Sequence, residues 1–298
     1  MNTLVNENIK IITYTDFGCD LSSDLNKMDD LEDNWEDDYD CVYSQRINCW
    51  KDTLNICNAM TCPPKSVKVT ISCNNQEMIK KYDKSNIMIF NMDTIDCALA
   101  FKTLNPLVLN LSDNLYAGGF VRSGSGAQEE SLFRRTNYFR SLTQDFYPIL
   151  SNEAIYSPSI SVIKESENMA WKLLENNEML NFIACPALKY PETTIDNHEH
   201  EIMLKNEDVE ILKDKIKLII QTAVDFNHDT IIFGAMGCGA WKNPSKHVAE
   251  IFKDVLKECD GVILNYYFAI IETKDDIDFD IDIDNHSNLD IFTSVFME

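Results

Sequence analysis

Residues 116–142 read YAGGFVRSGSGAQEESLFRRTNYFRSL and hold four of the chain's nine glycines beside an adjacent carboxylate pair. Just before them, Pro106–Leu111 (PLVLNL) is a short apolar run of the kind a strand buried on both faces shows. The stretch therefore reads as a strand, a Gly-rich loop and a helix. Ser125 as N-cap with Gln128 three residues on predicts a capping box, which places Glu129 and Glu130 in the first turns of the helix. A loop built on Gly118, Gly119, Gly124 and Gly126 can bring successive N–H groups together around an anion, and a phosphate or diphosphate would suit it. Consecutive helix residues project about 100° apart, so Glu129 and Glu130 are expected on different faces, one toward the ligand and one as a brace. An isolated Gly-rich loop is more often a plain surface loop. The carboxylate pair at the helix entrance favours a site.

Outward from this stretch, Asn86–Asn91 and residues 107–111 are apolar strands flanking a helix over Asp93–Leu104, a βαβ unit that predicts parallel pairing of the two. Val67–Ser72 alternates as a strand. Ala154–Ile163 reads as a strand pair interrupted by Pro158, and Asn181–Leu188 as a strand stopped by Pro186. Val209, Leu212, Ile216, Ile219, Ile220 and Ala223 mark a long core-facing helix, and Gly261–Ile271 a last core strand. Residues 230–245 (TIIFGAMGCGAWKNPS) repeat the first pattern, with a buried strand, a Gly-rich loop and a helix opened by Asn243 as N-cap and Pro244. Such a strand-to-helix turn holds phosphates by backbone N–H groups and helix polarity. It fits neither a P-loop nor a dinucleotide fingerprint.

Charge is unevenly spread along the 298 residues. Residues 1–43 carry 12 acids and 2 bases, 274–298 carry 8 acids and 1 base, and the middle carries 29 acids and 23 bases. The ends account for most of the net charge of −23, and an acidic chain is a poor general binder of nucleic acid. The N-terminal run Asp16–Asp40 predicts a disordered acidic extension, 1–43. The C-terminal run Asp275–Asp284, alternating Asp with Ile or Phe, is a charged edge strand or part of a disordered acidic tail, 274–298. No apolar run is long enough to span a bilayer, so a soluble, intracellular, monomeric protein is expected, with its ten cysteines reduced. Cys49, Cys57, Cys62 and Cys73 are separated by 7, 4 and 10 residues and form no zinc knuckle, so no metal and no cofactor is expected. His198 and His200, in a polar acidic segment, read as surface residues.

Ala117-Gly118-Gly119, eight further residues, then Gln128-Glu129-Glu130 and the continuation SLFRRTN resemble the signature of poly(ADP-ribose) glycohydrolases. The helix around Arg46 and Thr53-Leu54, the AIYSP segment at 154–158 and the GAMGCGAWKNP loop at 234–244 are similar to the microbial branch of that family. The resemblance spans residues 44–273. It implies a three-layer α/β/α macrodomain with a mixed, mainly parallel sheet, and hydrolysis of ribose–ribose bonds in poly(ADP-ribose) attached to ADP-ribosylated proteins. By the same resemblance Glu130 is the general acid and then activates water, while Glu129 and Gln128 position the reacting riboses and the helix entrance. Substrate contacts are expected from Ala117, Gly118 and Gly119, from Gly237, Cys238, Gly239, Ala240 and Trp241, and from Asn110 and Asp93. Asn110 is equally a buried turn asparagine, Asp93 equally a helix N-cap, and Trp241 a core aromatic if not a site residue. Ala117 stands where the family has glycine, a strain of roughly 1 kcal/mol if its φ were positive.

Two other classes compete. A macrodomain that only reads ADP-ribose, or one that removes single ADP-ribose units, shares the fold, but a reader has no need of the intact Gln128-Glu129-Glu130. A thiol hydrolase would use Cys238 in a tight turn with His247 as base, and Met236 is too bulky for that turn.

Overall fold

The computed structural model describes residues 9–12, 35–71, 78–195, 201–272 and 286–298, and only the backbone of 9–12 and 35–40. Among the described residues, ten strands run in chain order as β1 Ile9–Ile12, β2 Val67–Thr70, β3 Asn86–Phe90, β4 Pro106–Asn110, β5 Glu153–Lys164, β6 Leu173–Ala184, β7 Thr193–Ile195, β8 Ile202–Leu204, β9 Thr230–Phe233 and β10 Asn265–Ala269. The helices are α1 Trp35–Asn58, α2 Thr94–Ala100, α3 Gln128–Arg135, α4 Asn206–Asp225, α5 Ser245–Glu258 and α6 Asn288–Met297.

Eight strands form one sheet in the order β1-β3-β10-β9-β4-β6-β5-β2, and β7 and β8 form a separate hairpin. From β1 to β6 the pairings are parallel, whereas β5 runs antiparallel to β6 and β2 antiparallel to β5. The sheet is thus mixed and mainly parallel, as expected. Alternation along the strands sends Leu107, Leu109, Ile231, Phe233, Tyr266 and Phe268 into a core shared with α4, α5 and α6. Val108, Ile232, Tyr267 and Ala269 face the opposite way, into a core with Trp50 of α1, Ile95 and Ala98 of α2, and Leu132 and Phe133 of α3. Three α/β/α layers result. No helix among the described residues is long and apolar enough to cross a membrane.

Several expectations need correction. β3 and β4 point the same way but are not neighbours, because β10 and β9 lie between them. β5 is one twelve-residue strand with its register shifted between Ser157 and Ile160, where Asn181 Oδ1 accepts the Ser159 N–H at 3.0 Å in place of a ladder bond. The ends are not simple tails. Ile9–Ile12 adds an edge strand, α1 starts at Trp35, and Phe292 and Phe296 of α6 pack against Phe268 with ring centroids 5.6 and 5.1 Å away. The apolar run of α6, beside acidic sequence, gains enough burial to join the core. Residues 13–34, Asp275–Asp284, Cys73, His198 and His200 lie outside the described residues.

β4 and β9 are adjacent, and their carboxyl ends open into the two Gly-rich loops. The chain leaves β4 through α3 toward β5 on one side of the sheet and leaves β9 through α5 toward β10 on the other. Such a divergence of crossovers is where open α/β sheets form ligand crevices.

Candidate active site

α3 carries four buried charges in eight residues, Glu129, Glu130, Arg134 and Arg135. Its N-terminus differs from the expected capping box. Ala127 is the N-cap and no side chain caps the helix. Gln128 is instead committed to the sheet. Its Oε1 accepts the Leu111 N–H at 2.9 Å, and its Nε2 donates to Leu109 O at 2.8 Å and Thr94 Oγ1 at 3.0 Å. An amide that bridges the end of β4 and the start of α2 fixes the height of α3, which makes Gln128 a brace.

Glu129 and Glu130 both turn toward the preceding loop, although about 100° separates adjacent helix positions. The loop curls over the helix end and meets them both. Glu129 Oε1 accepts from Gly118 N at 3.2 Å and Asn110 Nδ2 at 3.3 Å, and its Oε2 accepts from Asp113 N at 2.7 Å. Glu130 Oε1 accepts from Phe120 N at 2.9 Å, whereas its Oε2 is buried with no hydrogen-bond partner among the described residues. Burial raises the Glu129 carboxyl to about 8, outweighing its N–H donors, and the neighbouring Glu130 charge adds to the rise.

Beside the carboxylates the loop needs glycine at both 118 and 119. Gly118 and Gly119 have φ of 77° and 53°, and a Cβ would fall 2.5 Å from the Phe133 ring at the first and 2.5 Å from Glu130 Oε1 at the second. Ala117 does not take the left-handed conformation, so the strain it would bring with a positive φ does not arise. Its N–H donates to Gln144 Oε1 at 3.1 Å.

Asn110 is fully buried behind Glu129, with its Oδ1 unpartnered. Asp93 caps α2, its Oδ1 accepting from Ile95 N and Asp96 N, and it also receives Arg135 Nη1 at 2.6 Å. Arg135 is fully buried and donates as well to Asp96 at 2.5 Å.

The second loop, Gly237, Cys238, Gly239, Ala240 and Trp241, is folded back by Asn243. Asn243 does not cap α5, whose N-cap is Pro244. Its Nδ2 instead donates to Leu188 O, Gly237 O and Trp241 O. Trp241 is half-buried, under Lys189 at 5.4 Å from the ring centroid. Lys189 Nζ also reaches Asp113 Oδ2 at 3.2 Å, joining the second loop to the first. The sequence gives Lys189 no distinguishing signal. Asp113 was legible as an Asx turn in Ser112-Asp113-Asn114, since its Oδ1 accepts from Leu115 N and Tyr116 N.

The thiol alternative fails on geometry. Cys238 is buried with its Sγ directed to Met236 O, and His247 Nδ1 accepts the Leu204 N–H at 2.9 Å, so the neutral ring has no second lone pair for a thiol.

The family model described as microbial-type PARG, catalytic domain, matches residues 43–165, which include α3, both carboxylates and the first loop. Those residues are similar in sequence to the microbial-type PARG catalytic domain. Solved PARG structures extend the likeness of fold beyond that segment. The poly(ADP-ribose) glycohydrolase of Thermomonospora curvata, bound to the inhibitor ADP-HPD, superposes with a TM-score of 0.65 at 19% identity, covering 85% of this chain and 98% of that one. The Deinococcus radiodurans PARG in complex with ADP-ribose gives 0.59 at 18% identity, covering 86% and 92%. No curated protein matches the chain in sequence.

Proposed function

We propose that the chain is a poly(ADP-ribose) glycohydrolase, hydrolysing the ribose–ribose bond with Glu130 as proton donor. The observation that carries the assignment of roles is the contrast between the two carboxylates. Both oxygens of Glu129 are taken by N–H groups, whereas Glu130 keeps one oxygen unengaged. A proton donor needs a free oxygen within reach of the leaving group. The Glu130 proton goes to the departing oxygen as the glycosidic bond breaks, and the positive charge that develops on the remaining ribose is met by the carboxylate left behind. Water adds at that carbon and returns its proton to Glu130.

Glu129 acts as a positioning group. It accepts from the Gly118 N–H and Asn110, and so fixes the loop that faces the substrate. The diphosphate would lie between the two Gly-rich loops, with Ala117 to Gly119 on one side and Gly237 to Trp241 on the other. Asp93 Oδ2, with Oδ1 already occupied, is the atom open to an adenine amino group. ADP-ribosylated proteins are the macromolecular partners this implies. A reducing intracellular setting agrees with the free thiols of the eight described cysteines.

The test is single-turnover release from poly(ADP-ribose) and from a mono-ADP-ribosylated protein, beside calorimetric ADP-ribose affinity. Glu130→Gln should lower polymer cleavage by about 10²- to 10⁴-fold and leave ADP-ribose binding intact. An active Glu130→Gln protein would sink the assignment of the acid.

A further inference from the structure

The loop that holds the carboxylates also displays large apolar side chains to solvent. Leu115, Tyr116 and Phe120 are 45, 53 and 57% exposed. The Tyr116 and Phe120 rings lie together, with centroids 6.2 Å apart and planes inclined at 56°. Exposed rings on a slack loop would mean little. This loop is pinned along its length. Asp113 Oδ1 accepts from Leu115 N at 2.7 Å and Tyr116 N at 3.0 Å, Gln144 clasps Ala117 N and Leu115 O, and Phe120 N donates to Glu130. A rigid segment that keeps two aromatic faces in water is built to meet something flat and apolar.

The reaction identifies what that is. Phe120 offers its N–H at 2.9 Å to the carboxylate assigned to protonate the leaving oxygen, so the exposed ring belongs to a residue in direct contact with that carboxylate. In poly(ADP-ribose) that leaving oxygen is the 2′-oxygen of an adenosine, whose purine sits on the adjacent carbon of the same ribose. The expelled unit therefore carries an adenine within a nucleoside's length of Glu130.

We propose that Tyr116 and Phe120 form a stacking platform for the adenine of the expelled unit, a second purine subsite on the leaving-group side of Glu130. It rests on the glycohydrolase reading above. Stacking of a base on an aromatic side chain is sequence-tolerant and needs no hydrogen-bond partner, which agrees with a platform made only of rings. Such a platform distinguishes a polymer from a single ADP-ribose unit on an amino acid, which has no purine on that side.

The experiment compares Tyr116→Ala, Phe120→Ala, Tyr116→Phe and Phe120→Tyr. Readouts are kcat/KM on poly(ADP-ribose), calorimetric affinity for ADP-ribose and the melting temperature. Each alanine variant should lose roughly tenfold in kcat/KM on the polymer, carried mainly by KM, with ADP-ribose affinity and melting temperature unchanged. The aromatic replacements should stay within about twofold of the wild type if stacking is the interaction. Polymer cleavage unaffected in both alanine variants would overturn the subsite, and so would ADP-ribose affinity falling in step, which would put the rings in the ADP-ribose pocket. A wild-type chain inert on polymer would remove the functional reading and the subsite with it. An active wild type with indifferent alanine variants would remove the subsite alone.

Discussion

Lys189 Nζ lies 3.2 Å from Asp113 Oδ2, and this ion pair ties the loop after β4 to the segment after β6, whose Lys189 also lies over Trp241 of the loop after β9. The lysine is more than a third exposed and the aspartate nearly buried, so the pair itself adds little to stability. Its effect falls on geometry. Lys189→Met should shift the melting temperature slightly and raise the polymer KM several-fold, because the two halves of the cleft lose their spacer. Asp113→Ala should cost about 1–3 kcal/mol, since it also strips the acceptor from Leu115 N and Tyr116 N. Paired urea titrations and steady-state kinetics separate the two outcomes.

Glu129 makes stability depend on pH in an unusual direction for a carboxylate. Its folded pKa, about 8, stands above the ordinary 4.5, so the folded chain holds a proton that the unfolded chain releases. That contribution is fully present below about 4.5 and is lost as pH rises through about 8. Melting temperature should therefore fall between pH 5 and 9. In Glu129→Gln, whatever its absolute stability, the slope over that window should be shallower. An unchanged slope would place the effect elsewhere.

Trp241 separates a site aromatic from a core aromatic. If the ring lines the cleft beneath Lys189, Trp241→Ala should lower turnover and leave melting nearly unchanged. A loss of about 3–5 kcal/mol, the cost typical of emptying a core aromatic, would assign it to packing.

Arg135→Met tests the charge pairing beneath α2. Removing the guanidinium strands Asp93 and Asp96 together, and loss of one partner of a buried pair costs about 3–5 kcal/mol. Denaturation at pH 7 should show that loss. Lower pH should recover part of it, because burial already favours protonation of Asp96.

Strands were legible where composition alone decides them. Residues 106–109 and 231–233 are apolar throughout because both faces of their strands are covered, and the helical spacing over Val209–Ala223 reports one buried side. Strand neighbours were not legible, since the insertion of β10 and β9 between β3 and β4 depends on pairing far along the chain. Gln128 misled for a related reason. Its spacing from Ser125 satisfies a local rule, but an amide within reach of Leu109, Leu111 and Thr94 gains more from three fixed partners than from a frayed helix end. α6 was legible and was overshadowed by the acidic run before it. Ile291, Phe292, Val295 and Phe296 repeat at helical spacing and are all buried. The carboxylate pair was the most readable part of the site. Its convergence on one loop was not, because that depends on the loop's path and not on the helix.

The buried polar contacts of Glu129, Glu130 and Arg135 give α3 a single rotational setting. Turned by one residue, about 100°, it would carry Glu129 and Glu130 away from their N–H donors and Arg135 away from its two aspartates. Apolar neighbours would tolerate such a slip, since one hydrocarbon contact replaces another at modest cost. Unpaired ions would not. The aim of the two carboxylates is thus indexed by their polar partners, and conservative changes in the surrounding hydrophobic packing should blunt the protein's stability well before they turn Glu130 away from the loop.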